Sequence, residues 1–221
     1  PLVTVDHFEL THDGNGLTCD PESITIKACA DPQCTELVED EVTVNLSPSP
    51  PQGQGGWSGN GVFGDQLTFS GGTAHVKYSN TQPSSITLGA TYSMAEPTLC
   101  RINDSAASSS HCELTYAESG FVFGDLSVTP VLGIPDEYAN KPLDNIIINA
   151  VQTDTITNRC IAMFANQTKA IGFWQSYITP NSGSKSVTVS SSGNSVLAGN
   201  DLNSKAMLAF TFDGQGKASV N

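Results

Sequence analysis

Residues Ser23–Leu37, SITIKACADPQCTEL, open with strict alternation: Ile24, Ile26 and Ala28 share one face, while Ser23, Thr25 and Lys27 share the other. That is the period-2 pattern of a half-buried strand. The run ends in a turn bracketed by Cys29 and Cys34, so a strand leading into a clamped turn is predicted. A second apolar run, Asn145–Val151 (NIIINAV), is again followed by a loop that reaches a cysteine, Cys160. The pattern reads as one β-module used twice.

The rest of the chain fits that frame. Leu2–His12 alternates with a phase slip between Val3/Val5 and Phe8/Leu10, as where an edge strand kinks or bulges between sheets. Asp13–Gly16 (DGNG) is a turn; it lacks the spaced acids and distal Glu of a calcium loop. Glu41–Leu46 alternates with Val42, Val44 and Leu46 inward, and Ser47–Gly61 is rich in Pro and Gly, which predicts a loop. Val62–Phe69, Ala74–Tyr78 and Ser85–Tyr92 supply further strands, separated by Gly71-Gly72 and Pro83-Ser84. About seven strands with turn signals every ~8–12 residues are the mark of a sandwich.

Pro97–Cys112 reads as a connecting excursion whose serine-rich middle, SAASSS, has no packing face. Glu118–Val128 opens the second module, with Phe121 and Phe123 on one face and Leu126 and Val128 together beyond Gly124; Pro130–Pro142 is a polar loop. Cys160–Phe164, Ala170–Ile178, Ser186–Ser190 and Ala206–Phe212 complete its strands. One landmark repeats closely. Thr68-Phe69-Ser70-Gly71 before Ala74–Val76 is answered by Thr211-Phe212-Asp213-Gly214 before Ala218–Val220.

The expected architecture is therefore all-β: two tandem immunoglobulin-like β-sandwich modules, disulfide-stapled, spanning 1–117 and 118–221. The first continues past the landmark into Ser85–Ala90 (SITLGA), and the second stops at Asn221 before a counterpart. The reading is a second module truncated at its last strand, with an edge prone to pairing.

Composition narrows the function. Nine basic against 22 acidic residues give a net charge of −13, a field that repels nucleic acid and anionic membranes. No run reaches the ~20 apolar residues of a membrane span, so no membrane insertion is expected. The chain begins Pro-Leu-Val, which reads as a segment excised from a longer exported protein.

Six cysteines point to an oxidising compartment. Zinc is the competing explanation, but Cys29-x4-Cys34 and Cys100-x11-Cys112 do not form a pair of zinc knuckles. Many pairings are open; the local bridges Cys29–Cys34 and Cys100–Cys112 rank first and second, and Cys19–Cys160 third. No metal or cofactor site is expected.

The match Gly59-x-Gly61-x-x-Gly64 lacks the strand–helix setting that a dinucleotide fingerprint requires. The histidines, at 7, 12, 75 and 111, form no catalytic constellation legible from spacing, and His75 should face solvent. No catalytic residue and no enzyme are expected; a glycan hydrolase would need paired carboxylates in a cleft. Trp57, in GGWSGNG with Asn60 and Asp65 nearby, is a candidate glycan contact, although a loop aromatic folded onto its own module is the favoured alternative. Trp174, beside Phe173, Tyr177 and Ile178, reads as core. Asn45, Asn103 and Asn166 head N-x-[S/T] triplets, acceptors only in a eukaryotic secreted protein.

The strings HFELTHDGNGLTCDPESITIKACADPQC, FSGG, CELTYAESGF, RCIAMFANQTKAIGFWQSYITPNSGS and FTFDGQGKASV resemble the large MshQ-type proteins. These are encoded with the mannose-sensitive haemagglutinin (MSHA) type IV pilus of aquatic γ-proteobacteria. The resemblance covers nearly the whole chain. It implies an exported protein of the bacterial surface, linked to pilus biogenesis or adhesion, whose partners are pilus components or other domains of the same protein. The family commonly carries a concanavalin A-like, laminin-G-type domain, and no such stretch is visible here. The leading reading is a non-enzymatic stalk. The alternative is a glycan- or Ca2+-dependent adhesin domain acting through the Trp57 loop.

Overall fold

The computed structural model describes residues 4–51, 53–92, 97–102, 108–124, 143, 146–176 and 186–220. Leu2, Val3, Asn103, Ser105–Ala107, Leu126, Val128, the Pro130–Pro142 loop, Asn145, Tyr177 and Ile178 lie outside them. Among the described residues there are strands and no helix. The chain divides into two compact units, Pro1–Glu118 with Thr155–Arg159, and Ser119–Asp154 with Cys160–Asn221.

The first unit contains β1 (His7–His12), β2 (Asn15–Leu17), β3 (Glu22–Cys29), β4 (Val42–Ser47), β5 (Gly55–Gly59) and β6 (Val62–Phe63). It continues with β7 (Gln66–Phe69), β8 (Thr73–Asn80), β9 (Ser85–Thr87), β10 (Gly89–Thr91), β11 (Leu99–Ile102) and β12 (Glu113–Ala117). One sheet runs β11-β1-β3-β8-β5 and a second β10-β4-β7-β6, with β2-β12-β9 as a smaller third. Ile26 sits opposite both Leu10 and Ala74, so three central strands put their apolar sets on one face. Phe8, Leu10, Ile24, Ile26, Leu67 and Leu114 are fully enclosed. Burying each such side chain contributes about 1.5–3 kcal/mol, and a one-residue slip would turn a whole set to solvent.

Four predicted elements differ. Ser47–Gly61 is not all loop, because Gly55–Gly59 pairs with β8. Glycine is required there for space: a Cβ on Gly55 would lie 2.0 Å from the Ser79 carbonyl oxygen. Val62–Phe69 is a hairpin folded about Gly64-Asp65 rather than one strand. Ser85–Tyr92 breaks at Leu88, so that β9 joins β12 and β10 joins β4. The Pro97–Cys112 stretch is more than an excursion, since β11 within it pairs parallel to β1; just beyond it, β12 pairs parallel to β2.

The second unit contains β13 (Ser119–Phe123), β14 (Ile146–Thr153), β15 (Cys160–Ala162), β16 (Thr168–Phe173), β17 (Thr188–Ser191), β18 (Asn194–Leu197), β19 (Ala206–Thr211) and β20 (Lys217–Val220). β14 lies between β13 and the pair β15 and β20; β16 pairs β19, and β17 pairs β18. Its core holds Ile148, Ala150, Leu208, Phe210, Phe212 and Val220, with Phe210, Phe212, Phe164 and Phe173 in ring contact.

The same frame recurs in both units. In the first, β3 pairs antiparallel with β1 and β8, and β4 pairs with β7. In the second, β14 pairs antiparallel with β13 and β20, and β16 pairs with β19. The Phe-x-Gly landmark is the crossing from one sheet to the other in each unit, from β7 to β8 and from β19 to β20. The protein is an all-β, disulfide-braced chain built on an immunoglobulin-like plan.

Candidate functional site

The turn after β3 is held by its own polar groups. The Asp31 carboxylate accepts hydrogen bonds from Gln33 N (2.9 Å), Glu36 N and Thr35 Oγ1 (3.0 Å). The backbone bonds to this carboxylate, Glu36 first, hold it below the usual carboxylate range. Cys34 N donates to Asp31 O, Ala30 N to Glu36 O and Val38 N to Ala28 O. Cys34 is thereby kept at φ +54°, a left-handed conformation uncommon for a residue with a Cβ. It is bonded to Cys29 with the two Cα atoms 4.8 Å apart. Beneath this turn lies His7, buried, opposite Cys29 in the β1–β3 ladder. Its Nδ1 meets the Asp6 carboxylate at 2.8 Å.

The same sheet face carries Glu9, 2% exposed, whose Oε1 accepts from Arg101 Nε at 2.7 Å. Its other oxygen is buried with no hydrogen-bond partner among the described residues. The parallel register of β1 and β11 brings these two side chains together, a pairing across 92 positions with no local sequence signal.

At the opposite end of β3, burial raises the Glu22 carboxyl to about 7, and the charges of Asp13 and Asp20 push the same way; a hydrogen bond from Asp13 N opposes them. Burial also raises Asp20, opposed by Lys77. His12 is lowered by burial, against the charge of Asp13. The Tyr116 hydroxyl donates to Tyr78 O at 2.6 Å; burial, then the Glu22 charge, raises its pKa. This acidic cluster is a structural corner whose charges repel.

Trp57 is 8% exposed: its indole lies edge-on to Tyr78 with centroids 4.9 Å apart, and Nε1 donates to Pro48 O at 3.1 Å. Asn60 is exposed in the β5–β6 turn, and Asp65 accepts from the Ser49 hydroxyl. The three do not share an open aromatic platform. Trp174, read as core from its neighbours, is instead 50% exposed. Strand alternation explains it: Ile171 and Phe173 turn toward the core of the second unit, so Gly172 and Trp174 turn away. Met207 is 51% exposed beside Gly172. Lys205 lies across Gly172, where a Cβ would come within 2.7 Å of its Cδ. Ala170 opposes Ala209, and Thr168 and Thr211 join hydroxyls at 2.9 Å. Among the described residues, this face carries one large exposed aromatic, Trp174.

His75 is exposed and contacts Thr25 Oγ1 at 3.1 Å. Cys100 and Cys112, both buried, are bonded to each other with Cα atoms 5.3 Å apart. Cys19 and Cys160 are also disulfide-bonded, and no free cysteine is present. No helix is long and apolar enough to cross a membrane among the described residues.

The model of the family described as "Domain of unknown function (DUF8613)" matches residues 5–96. That of "Domain of unknown function (DUF6701), first Ig-like domain" matches residues 97–221, more than half of the chain. No curated protein and no solved structure matches it. The second match begins just before β11, and the strands of 119–220 repeat the pairing of the first unit. The chain belongs to the DUF6701 family, matching its first Ig-like domain.

Proposed function

We propose that this chain is a non-enzymatic stalk segment of an exported bacterial surface protein, one that positions adhesive parts of an MSHA-type pilus system. The observation that carries the reading is the recurrence of one strand-pairing frame in both units, with disulfides bracing the loops between strands. Repeated, cross-braced β units suit a spacer that must keep its form outside the cell, where thiols oxidise. The similarity of HDGNGLTC and ACADPQC to MshQ-type proteins supplies the pilus context.

The test is replacement in a piliated bacterium that carries the gene. Exchanging residues 1–221 for an unrelated tandem of two immunoglobulin-like domains should leave surface display and adhesion intact. Loss of adhesion with display preserved would overturn the stalk reading.

A second reading, direct glycan binding, is favoured by the half-exposed Trp174, where a sugar ring's C–H groups could stack on the indole. It moves the contact from the buried Trp57. Glycan arrays of the wild type and Trp174→Ala, with and without Ca2+, decide it: retention lost only in the variant supports this reading.

A further inference from the structure

We propose that reduction of the Cys29–Cys34 disulfide opens a binding site for a thiophilic divalent cation of the zinc class, with Cys29, Cys34 and His7 as its ligands.

The three ligand atoms, two Sγ and one imidazole nitrogen, already lie within 4.8 Å of one another. A tetrahedral zinc ion, with bonds of about 2.3 Å to sulfur and about 2.0 Å to nitrogen, holds such atoms roughly 3.5 Å apart. Parting the sulfurs therefore needs side-chain rotation and little backbone movement. Three protein ligands leave a fourth position for water.

His7 is prepared for this role. A carboxylate can only accept, so Asp6 Oδ1 at 2.8 Å fixes the proton on Nδ1 and leaves the lone pair on Nε2. A carboxylate behind the imidazole is the usual outer support of a metal-bound histidine. His7 reaches the cysteines through the ladder, opposite Cys29, which the spacing Cys29-x4-Cys34 does not disclose.

The turn is held by more than its disulfide. The Asp31 carboxylate and the backbone bonds Cys34 N to Asp31 O, Ala30 N to Glu36 O and Val38 N to Ala28 O hold Cys34 over β3. An isolated bridge between Cys29 and Leu37 closes the base. A turn fixed this way keeps two thiolates beside His7 after the bond opens, and pre-organisation of that kind is what metal affinity needs.

Access is one-sided: Cys29 is buried and Cys34 half-buried, so Cys34 is the sulfur a small thiol can attack. Two equivalents of that thiol transfer two electrons. The protein disulfide becomes two cysteine thiols, and the reductant leaves as its own disulfide. Cation binding then releases both thiol protons.

The full chain, reduced with a phosphine under argon and desalted, is titrated with Co(II). One equivalent should bind, with thiolate-to-cobalt charge transfer and tetrahedral d–d bands that Zn(II) removes; the oxidised chain should show neither. Zn(II) should protect Cys29 and Cys34 from alkylation, read peptide by peptide, and leave Cys19, Cys100, Cys112 and Cys160 at their metal-free rates. His7→Gln should weaken binding by at least about tenfold. Absence of cobalt bands in a reduced chain that keeps its β circular dichroism overturns the proposal. So does protection centred on other cysteines, unchanged affinity in His7→Gln, or loss of β structure on reduction.

Discussion

Glu22 stands at the start of β3 with its carboxyl raised to about 7, by burial first and by the charges of Asp13 and Asp20 after it. Against the ordinary 4.5, the folded state binds this proton more tightly than the unfolded chain does. The stabilising contribution is whole below pH 4.5 and is lost as pH rises through 7. A shift of 4.5 to about 7 corresponds to at most about 3.4 kcal/mol at ~1.36 kcal/mol per unit. Glu22 is only part-buried, and solvent screening brings the expected effect to about 1.5 kcal/mol. Glu22→Gln keeps an acceptor for Asp13 N and removes the charge. In urea titrations the variant should match the wild type at pH 4.5 and exceed it by about 1.5 kcal/mol at pH 8, with the gap opening between those limits. The upward shift of Asp20 comes from burial against Lys77, so it remains as common background, as does His12. A difference independent of pH, or a variant less stable at pH 8, would refute the assignment of a buried, repelled carboxylate.

Three further outcomes follow from the packing. Arg101→Ala strands the buried Glu9 and should cost about 2–4 kcal/mol, less than a fully enclosed pair because Arg101 is 26% exposed; Glu9→Gln in the same background should recover at least half, by urea midpoint. Trp57→Ala empties the space against Tyr78 and should cost about 3–5 kcal/mol with loss of near-ultraviolet dichroism, whereas Trp174→Ala should stay within about 0.5 kcal/mol. Gly55→Ala, at φ +109° with Ser79 O in the way, should destabilise by more than about 1 kcal/mol and speed amide exchange at Ser79 and Asn80 as β5 separates.

What could be read from the chain was whatever alternation and turn chemistry control. Ile24, Ile26 and Ala28 declared their face because a period of two leaves one choice. The landmark Thr-Phe-x-Gly declared a repeat because both copies make the same crossing between sheets. The β5 strand was hidden because Gly55, Gly56 and Gly59 carry no β propensity. Gly55 and Gly59 allow the close approach of β8, which only the paired backbone reveals. Trp174 misled for a different reason: its apolar neighbours suggested a core strand, while the alternation of Ile171, Gly172, Phe173 and Trp174 already placed it outward.

The polar groups were the least legible, and the reason is distance along the chain. Glu9 meets Arg101 through a parallel ladder, and His7 meets Cys29 and Cys34 through an antiparallel one; each contact is set by register. Spacing along one segment marks Cys29-x4-Cys34 as a local bridge, which it is, and carries no sign of His7 beside it, because that neighbour comes from another strand. Parity links the two pairs. Phe8 and Leu10 point into the core of the first unit, which obliges His7 and Glu9 to share the outer face of β1. There the turn closed by Cys34 lies over His7, and the Arg101 side chain pairs with Glu9. The chemistry-bearing residues of this sheet are thus consequences of the same alternation that builds its core, read on the opposite face.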